Sequence, residues 1–471
     1  MQLSHALRVT AVLFDEPNLV SSAGLVPMLA LAEAAGLRAL VDERLTVPSD
    51  KGANAGLKVA SLVAGMVSGA DCIDDMALLR HGGMGRLFAR SYAPSTLGSF
   101  LRAFTFGHVR QLDAVASRFL AGLADRTAIT AGLDELAIVD IDDTVVEVHG
   151  HAKQGAGFGY SRVRGLNALL ATVSTGRAAP MIVAQRLRKG SAHSARGAHR
   201  LVADALKTVN RLKQSGPPHG VPRRVLMRGD SAFYSHTAVG AAVRAGAEVS
   251  VTVRLEAAVK TAIAGIADDA WQPIEYTDAV FDEHTGTWIS RAEVAETPFV
   301  AFTGRRTDMQ MRGRLVVRRI PDLNRNADQQ QATLFDLWRH HAFFTTTDVA
   351  VADTVTADRT HRGHAIIEQV HADLKNSALA HLPSGRFTAN AAWLVLAVMA
   401  FNLTRAAATL TGSALAKATT ATIRRTLIGV PARIATSARR ILLHLPKAWP
   451  WQTAWTELYT RVNDPPLVAV S

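Results

Sequence analysis

The stretch from His361 to Lys375 reads His-Arg-Gly-His-Ala-Ile-Ile-Glu-Gln-Val-His-Ala-Asp-Leu-Lys. Wound at about 3.6 residues per turn, it sets His361, His364, Glu368, His371 and Lys375 along one stripe. Ile366, Ile367, Val370 and Leu374 fall on a neighbouring face, the pattern of a helix laid on a sheet. One carboxylate then stands among groups that are cationic or can become so. Two other acids stand in strand contexts far away in sequence: Asp142 in Ile138-Val-Asp-Ile-Asp-Asp-Thr144, and Asp230 in Gly229-Asp-Ser-Ala-Phe-Tyr234. If Asp142, Asp230 and Glu368 converge, their mutual repulsion calls for a divalent cation. Oxygen-only ligands point to Mg²⁺ or Mn²⁺ and away from zinc. Two such ions can activate a water or a 3′-hydroxyl and stabilise the leaving oxygen of a phosphodiester.

For those acids to meet, the strands carrying Asp142 and Asp230 must be neighbours, and the Glu368 helix must pack across them. Leu136 to Val148, Leu166 to Ser174 and Met181 to Leu187 are β-rich runs. Between the first two lies a glycine-rich stretch, Lys153 to Arg164, read as a long hairpin turn with Lys153, Arg162 and Arg164 as backbone-contacting cations. A helix from Ser194 to about Lys213 stops at Gly216-Pro217-Pro218, and a buried strand, Arg224 to Arg228, runs into Asp230. A helix from Ser235 to Ala245 and a strand from Glu248 to Arg254 come next. Three strands, helix, strand, helix, strand fits an antiparallel meander continued by parallel pairing in one mixed sheet. The first and fourth strands can then be adjacent.

Around this α/β core the chain divides by composition. Residues 1–130 look helical, with amphipathic segments at Leu25–Leu40 and Leu57–Val67 and a helix through Leu97 and Phe104 bearing Arg102 and Arg110 outside. This part is a candidate DNA-binding region or a bundle that packs on the α/β core. Residues 135–255 form the first part of the core. Residues 256–350 are a β-rich insertion of short strands and turns, with Trp271, Trp288, a turn at Asp282–Gly286, a basic strand at Arg312–Ile320 and a polar loop at Asn324–Gln331. Residues 351–410 return to the core with the Glu368 helix and an apolar helix, and 411–471 form a basic helical tail ending in Trp449, Trp451 and Trp455.

A net charge of +12 favours a polyanionic partner, nucleic acid ahead of a membrane surface. The single cysteine, Cys72, rules out a disulfide framework or a cysteine zinc site within one chain. The longest apolar run, Ala391 to Phe401, is too short to span a bilayer, and the first residues lack the apolar core of a signal peptide. The expectation is a soluble intracellular protein without a membrane partner.

With these residues in place the chain resembles a DDE transposase of a bacterial insertion sequence. The resemblance is carried by Asp142-Asp143-Thr144, by Gly229-Asp-Ser-Ala-Phe-Tyr234, by the β-rich stretch before the last acid and by the Glu368 helix. In the relevant branch that helix carries Tyr, Arg, Glu and Lys at steps of three, four and seven. Glu368 and Lys375 match; His361 stands for the Tyr and His364 for the Arg, with Arg362 taking part of the cationic role. The resemblance implies a ribonuclease-H-like fold and two Mg²⁺ ions, replaceable by Mn²⁺, held by Asp142, Asp230 and Glu368. It implies contacts from Lys375, Arg362, His361 and His364 to double-stranded DNA at transposon ends and target. It also implies cut-and-paste transposition by a homodimer in the synaptic complex, in the bacterial cytoplasm and on the nucleoid. Asp142 is chosen over Asp140 and Asp143 because the family places its acid two residues before Thr. Some relatives stack a flipped base on an insertion tryptophan, here Trp271 or Trp288.

Rival readings exist. Asp140-Ile-Asp142-Asp-Thr144 with Gly229-Asp230 fits a haloacid-dehalogenase-like phosphatase, Asp140 being nucleophile and Asp142 general acid. Against it, two further strands come after the motif strand, Tyr234 stands where a second acid belongs, and Glu368 has no role. A zinc site on His361, His364, Glu368 and His371 lacks the paired-His helix motif of metalloproteases. A non-catalytic DNA-binding protein and a nuclease without strand transfer share the same basic charge and the same acids.

Overall fold

A computed structural model describes residues 11–48, 50–88, 91–159, 162–214, 224–282, 287–321, 338–412, 414–437 and 440–463. A two-residue strand, β1 (Leu19–Val20), precedes six helices: α1 (Leu25–Ala34), α2 (Leu37–Arg44), α3 (Ala55–Ser68), the single turn α4 (Met84–Leu87), α5 (Pro94–Arg102) and α6 (Phe106–Ala124). The segment expected as one helix from Leu25 to Leu40 is two. Gly36 lies at φ 83°, a left-handed conformation that turns the chain between α1 and α2. A capping box of Thr105 and His108 starts α6.

Strands β2 (Leu136–Glu147), β3 (Gly157–Phe158), β4 (Arg164–Ser174) and β5 (Met181–Lys189) pair antiparallel. After α7 (Ala198–Gln214), β6 (Arg224–Gly229) lies parallel to β2; after α8 (His236–Arg244), β7 (Glu248–Thr252) lies parallel to β6. The order β5–β4–β2–β6–β7 therefore makes the first and fourth strands neighbours, as convergence of the acids requires. Buried Ala and Leu residues fill β4 on both faces, as a central strand between two layers demands.

Beyond α9 (Ala257–Ala264), the β-rich stretch does not form a sheet of its own. Strand β11 (Trp338–Thr345) adds antiparallel to β7, and β10 (Met311–Pro321), β9 (Thr287–Ala301) and β8 (Gln272–Asp282) continue outward from it. These strands are longer than the short pieces expected: β9 alone has 15 residues. Direct cross-strand pairing of Arg319 with Glu293, at 2.6 Å, helps hold their register.

The chain then returns through α10 (Thr354–Arg362), α11 (Ile366–Lys375) and α12 (Phe387–Thr409). Among the described residues α12 alone is long and apolar enough to cross a membrane, but its apolar stretch is buried, packed against α3, α5, α6 and β5. Its Asn402 does a specific job at the sheet edge. The Asn402 side chain accepts from the Ile182 N–H at 3.0 Å and donates to the Ile182 carbonyl at 2.8 Å, closing backbone groups that β5 leaves unpaired. Asn402→Ala strands both groups in a buried site and should cost about 2 kcal/mol, read as a lower urea midpoint with unchanged m-value.

The tail is not all helical. After α13 (Thr420–Ile423), β12 (Ala432–Ser437) pairs with both β1 and β13 (Arg440–His444), and the chain continues into α14 (Gln452–Asn463). The β-branched pair Ile434 and Thr436 alternates with neighbours across this small sheet, a local preference that the Ala- and Arg-rich composition masks. The expected helix stop at 216–218, the turn residues 283–286, the loop at 324–331, Arg439 and the residues before 11 lie outside the described residues.

Candidate active site

Alternation along β2 sends Asp140 and Asp142 to one face and Asp143 to the other. On the second face Asp143 meets Asn167 and, at 2.7 Å, Arg188, whose guanidinium also binds carbonyls of the turn leading into α7. That pairing holds Asp143 on the face opposite Asp140 and Asp142, though its charge still reaches Asp142 and Asp230. On the first face lies α11, which packs on β2 and brings His371 Nδ1 to 3.7 Å from Asp142 Oδ2.

The parallel register pairs Asp140 with Arg228 and Ile141 with Gly229, so Asp230, the next residue, comes out beside Asp142. Asp230 caps one turn of 3₁₀ helix, its carboxylate accepting from Ala232 N–H at 3.0 Å. Burial pushes the Asp142 carboxyl up to about 7, with the charges of Asp230 and Asp143 adding to the rise and His364 opposing it. Asp230 is also held above the ordinary carboxylate range, again chiefly by burial. Glu368, on the first turn of α11, is exposed. Among the described residues the three acids do not close into a group within 4.8 Å; the only such group of ligating side chains is Asp71, Cys72 and Asp75.

Asp140 is fully buried and works as an anchor. Arg228 grips both its oxygens at 2.7 Å, and His364 Nδ1 lies 2.8 Å from Oδ1. The same guanidinium donates to the carbonyls of Thr360 and, at 3.1 Å, Gly363. These are the last turn of α10 and the start of the 3₁₀ turn Gly363–Ala365 that separates it from α11. One buried ion pair thus fixes where the Glu368 helix begins. At its other end, Asp373 binds Arg405 of α12 at 3.1 Å and the N–H of Thr420 at 3.0 Å, so α11 is tied down twice.

The 3₁₀ turn also breaks the expected stripe. His361 lies on α10 and turns inward: its nitrogens meet Ser250 at 2.8 Å and Thr252 at 3.0 Å, and its ring stacks on Phe343 at 4.0 Å. Burial drives it down to about 3, so it is neutral and offers no charge to a phosphate. His364 comes among the acids instead. Arg362 pairs with Asp358 at 2.9 Å, and Lys375 is half-buried one turn beyond His371. The four-residue zinc set is therefore dispersed, and Asp140, held in a bidentate pair without exposure, is not placed to be a phosphatase nucleophile. Lys153 donates to the Leu382 carbonyl and Arg164 to that of Gly150 at 2.9 Å, both stapling the glycine-rich loop to the protein. Trp271 carries Arg319 on its face, 4.2 Å from the ring centre, with Trp338 on the other side at 4.5 Å. The side chain of Trp288 lies outside the described residues.

Two residues that matter here carry no motif of their own. Arg228 is a cation closing the apolar run Val225-Leu226-Met227, two residues before Asp230, just as Asp140 stands two before Asp142; that shared offset is the available signal. His371 was visible on the stripe, and its buried Nε2 has no hydrogen-bond partner. Asp142, Asp230 and Glu368 offer carboxylate oxygens, with the imidazoles of His364 and His371 close by; two of the acids are pushed towards the neutral state chiefly by burial, a cost that a hard divalent cation would relieve. A family model described as transposase DDE domain group 1 matches residues 3–466. No curated protein matches the chain.

Proposed function

This chain belongs to the DDE transposase family and so acts on DNA; we propose that it catalyses metal-dependent cut-and-paste transposition of an insertion sequence. The observation that carries the reading is the parallel β2–β6 register, which sets Asp142 beside Asp230 with both carboxyls held above their ordinary range. Asp142, Asp230 and Glu368 would hold two Mg²⁺ ions, with Mn²⁺ able to replace them. When bound, the metal supplies activation of the attacking oxygen and stabilisation of the leaving one.

The protein's own groups do the rest. Arg228 and Asp140 hold the α10–α11 turn on the sheet and so place Glu368. His364, with Nδ1 against Asp140, is held with its ring among the acids. Lys375 and Arg362 meet phosphates of the transposon end. Water opens the phosphodiester at the end and leaves a 3′-hydroxyl; that hydroxyl then displaces a 3′-oxygen in target DNA. The order β5–β4–β2–β6–β7 supports a ribonuclease-H-like core interrupted by 256–350; residues 1–130 would be its DNA-binding region. Two copies bring the two ends together in the bacterial cytoplasm.

Purified protein is expected to nick supercoiled plasmid carrying the element's ends in Mg²⁺, to stop in chelator and to resume on adding Mn²⁺. Nicking that persists in excess chelator would sink the metal assignment.

A further inference from the structure

Among the described residues, Asn54, Arg162, Phe302 and Ala448 hold a positive φ without being glycine. Phe302, at 63°, is the aromatic one, and a bulky side chain in that region of backbone space is strained. It is the first residue to leave the β9–β10 ladder, directly after Ala301 pairs with Met311. Its carbonyl accepts from the Arg305 N–H at 2.9 Å, which closes the turn. A glycine would take this backbone at no steric cost. What the ring touches accounts for a phenylalanine there.

It touches the loop of the second acid. The Phe302 ring stacks on Tyr234, with centres 4.9 Å apart and planes 27° from parallel, and meets the edge of His236 at 5.6 Å. Tyr234 ends the 3₁₀ turn that Asp230 caps, its N–H donating to the Ser231 carbonyl at 3.3 Å. Its neighbour Phe233 is fully buried. Asp230 therefore stands on one short turn, anchored in the core by Phe233 and held from the strand side by Phe302. Three residues of 3₁₀ helix have little internal hydrogen bonding to fix the direction of a capping carboxylate, and ring packing supplies that rigidity. Burial, and then the charge of Glu256, push the Tyr234 hydroxyl up to about 12, so this residue offers a ring and not a proton.

We propose that Phe302 is a positioning residue for Asp230: the turn after β9 clamps the second acid's loop through Tyr234 and so sets the cation site. The proposal rests on the reading of Asp230 as a metal ligand. The test uses the full chain without DNA and follows thermal stabilisation across a Mg²⁺ titration. Phe302→Gly suits the turn's backbone and removes only the ring. The Mg²⁺ concentration giving half the maximal shift should rise roughly tenfold in Phe302→Gly, and by a similar factor in Tyr234→Leu. It should return to the wild-type value in Phe302→Tyr, which keeps the stack. The double variant Phe302→Gly/Tyr234→Leu should be no worse than either single one, because both remove the same contact. A wild-type Mg²⁺ midpoint in Phe302→Gly overturns the proposal, as does a rise that Phe302→Tyr does not rescue or an additive loss in the double variant. Failure of the metal reading looks different: wild type then shows no Mg²⁺ shift, or one that Asp230→Asn keeps, and the positioning role falls with it.

Discussion

Asp142→Asn, Asp230→Asn and Glu368→Gln are each expected to abolish DNA cutting, with a loss of roughly a thousandfold or more, and any double variant should fall little further, because residues acting as a unit are non-additive. Asp142 and Asp230 are brought together by register and share one electrostatic problem, so removing either charge removes the physical basis of the proposed cation site. The same argument separates loss of function from loss of fold. In metal-free buffer the Asn variants should melt no lower than wild type, since each relieves repulsion in a buried pair. Mg²⁺ at a hundred times its Kd should stabilise wild type by about 2.7 kcal/mol and leave the Asp142→Asn protein unmoved. Wild-type cutting by Glu368→Gln would remove Glu368 from the site, and an equal Mg²⁺ shift in Asp142→Asn would remove the metal from Asp142.

The sequence exposes the acids because each sits where local chemistry is unusual: a carboxylate inside a β-branched run, another after a buried strand, a third on a cationic helix face. It also exposes the strand order, since helices between the fourth and fifth strands demand parallel pairing. What it hides is register and small breaks. A continuous helical period through His361 and Lys375 gives no hint that residues Gly363–Ala365 tighten into 3₁₀ geometry, and that break alone turns His361 into the core and leaves His364 with the acids. Arg228 is hidden for a related reason. Its partner is fixed by the pairing of two strands almost ninety positions apart, and the only local mark is a cation at the end of an apolar run, at the offset from Asp230 that Asp140 has from Asp142. The strand at Ala432–Ser437 is hidden because the Ala- and Arg-rich composition masks its β-branched alternation and one of its two partners, β1, lies at the opposite end of the chain.

Arg228→Met should be the most damaging substitution outside the three acids. It leaves the Asp140 carboxylate with no exposure and only His364 beside it, and breaking one side of a buried pair costs about 3–5 kcal/mol. The partner substitution separates stability from function. In Arg228→Met/Asp140→Leu neither charge remains, so the buried penalty disappears and the urea midpoint should return to near wild type or above it. Cutting should not return with it. The carbonyls of Thr360 and Gly363 lose their donor and His364 loses its acceptor, so the turn that sets Glu368 against β2 is no longer held. The fit there is tight: a Cβ on Gly363 would lie 2.7 Å from Arg228 Nη1, and that guanidinium cannot swing away while Asp140 grips it. Gly363→Ala should therefore reproduce the catalytic loss at a smaller cost in stability. A double variant that regains both its midpoint and its cutting rate would show that the pair contributes only to folding, and that α11 finds its place on the sheet through its apolar face and Asp373 alone.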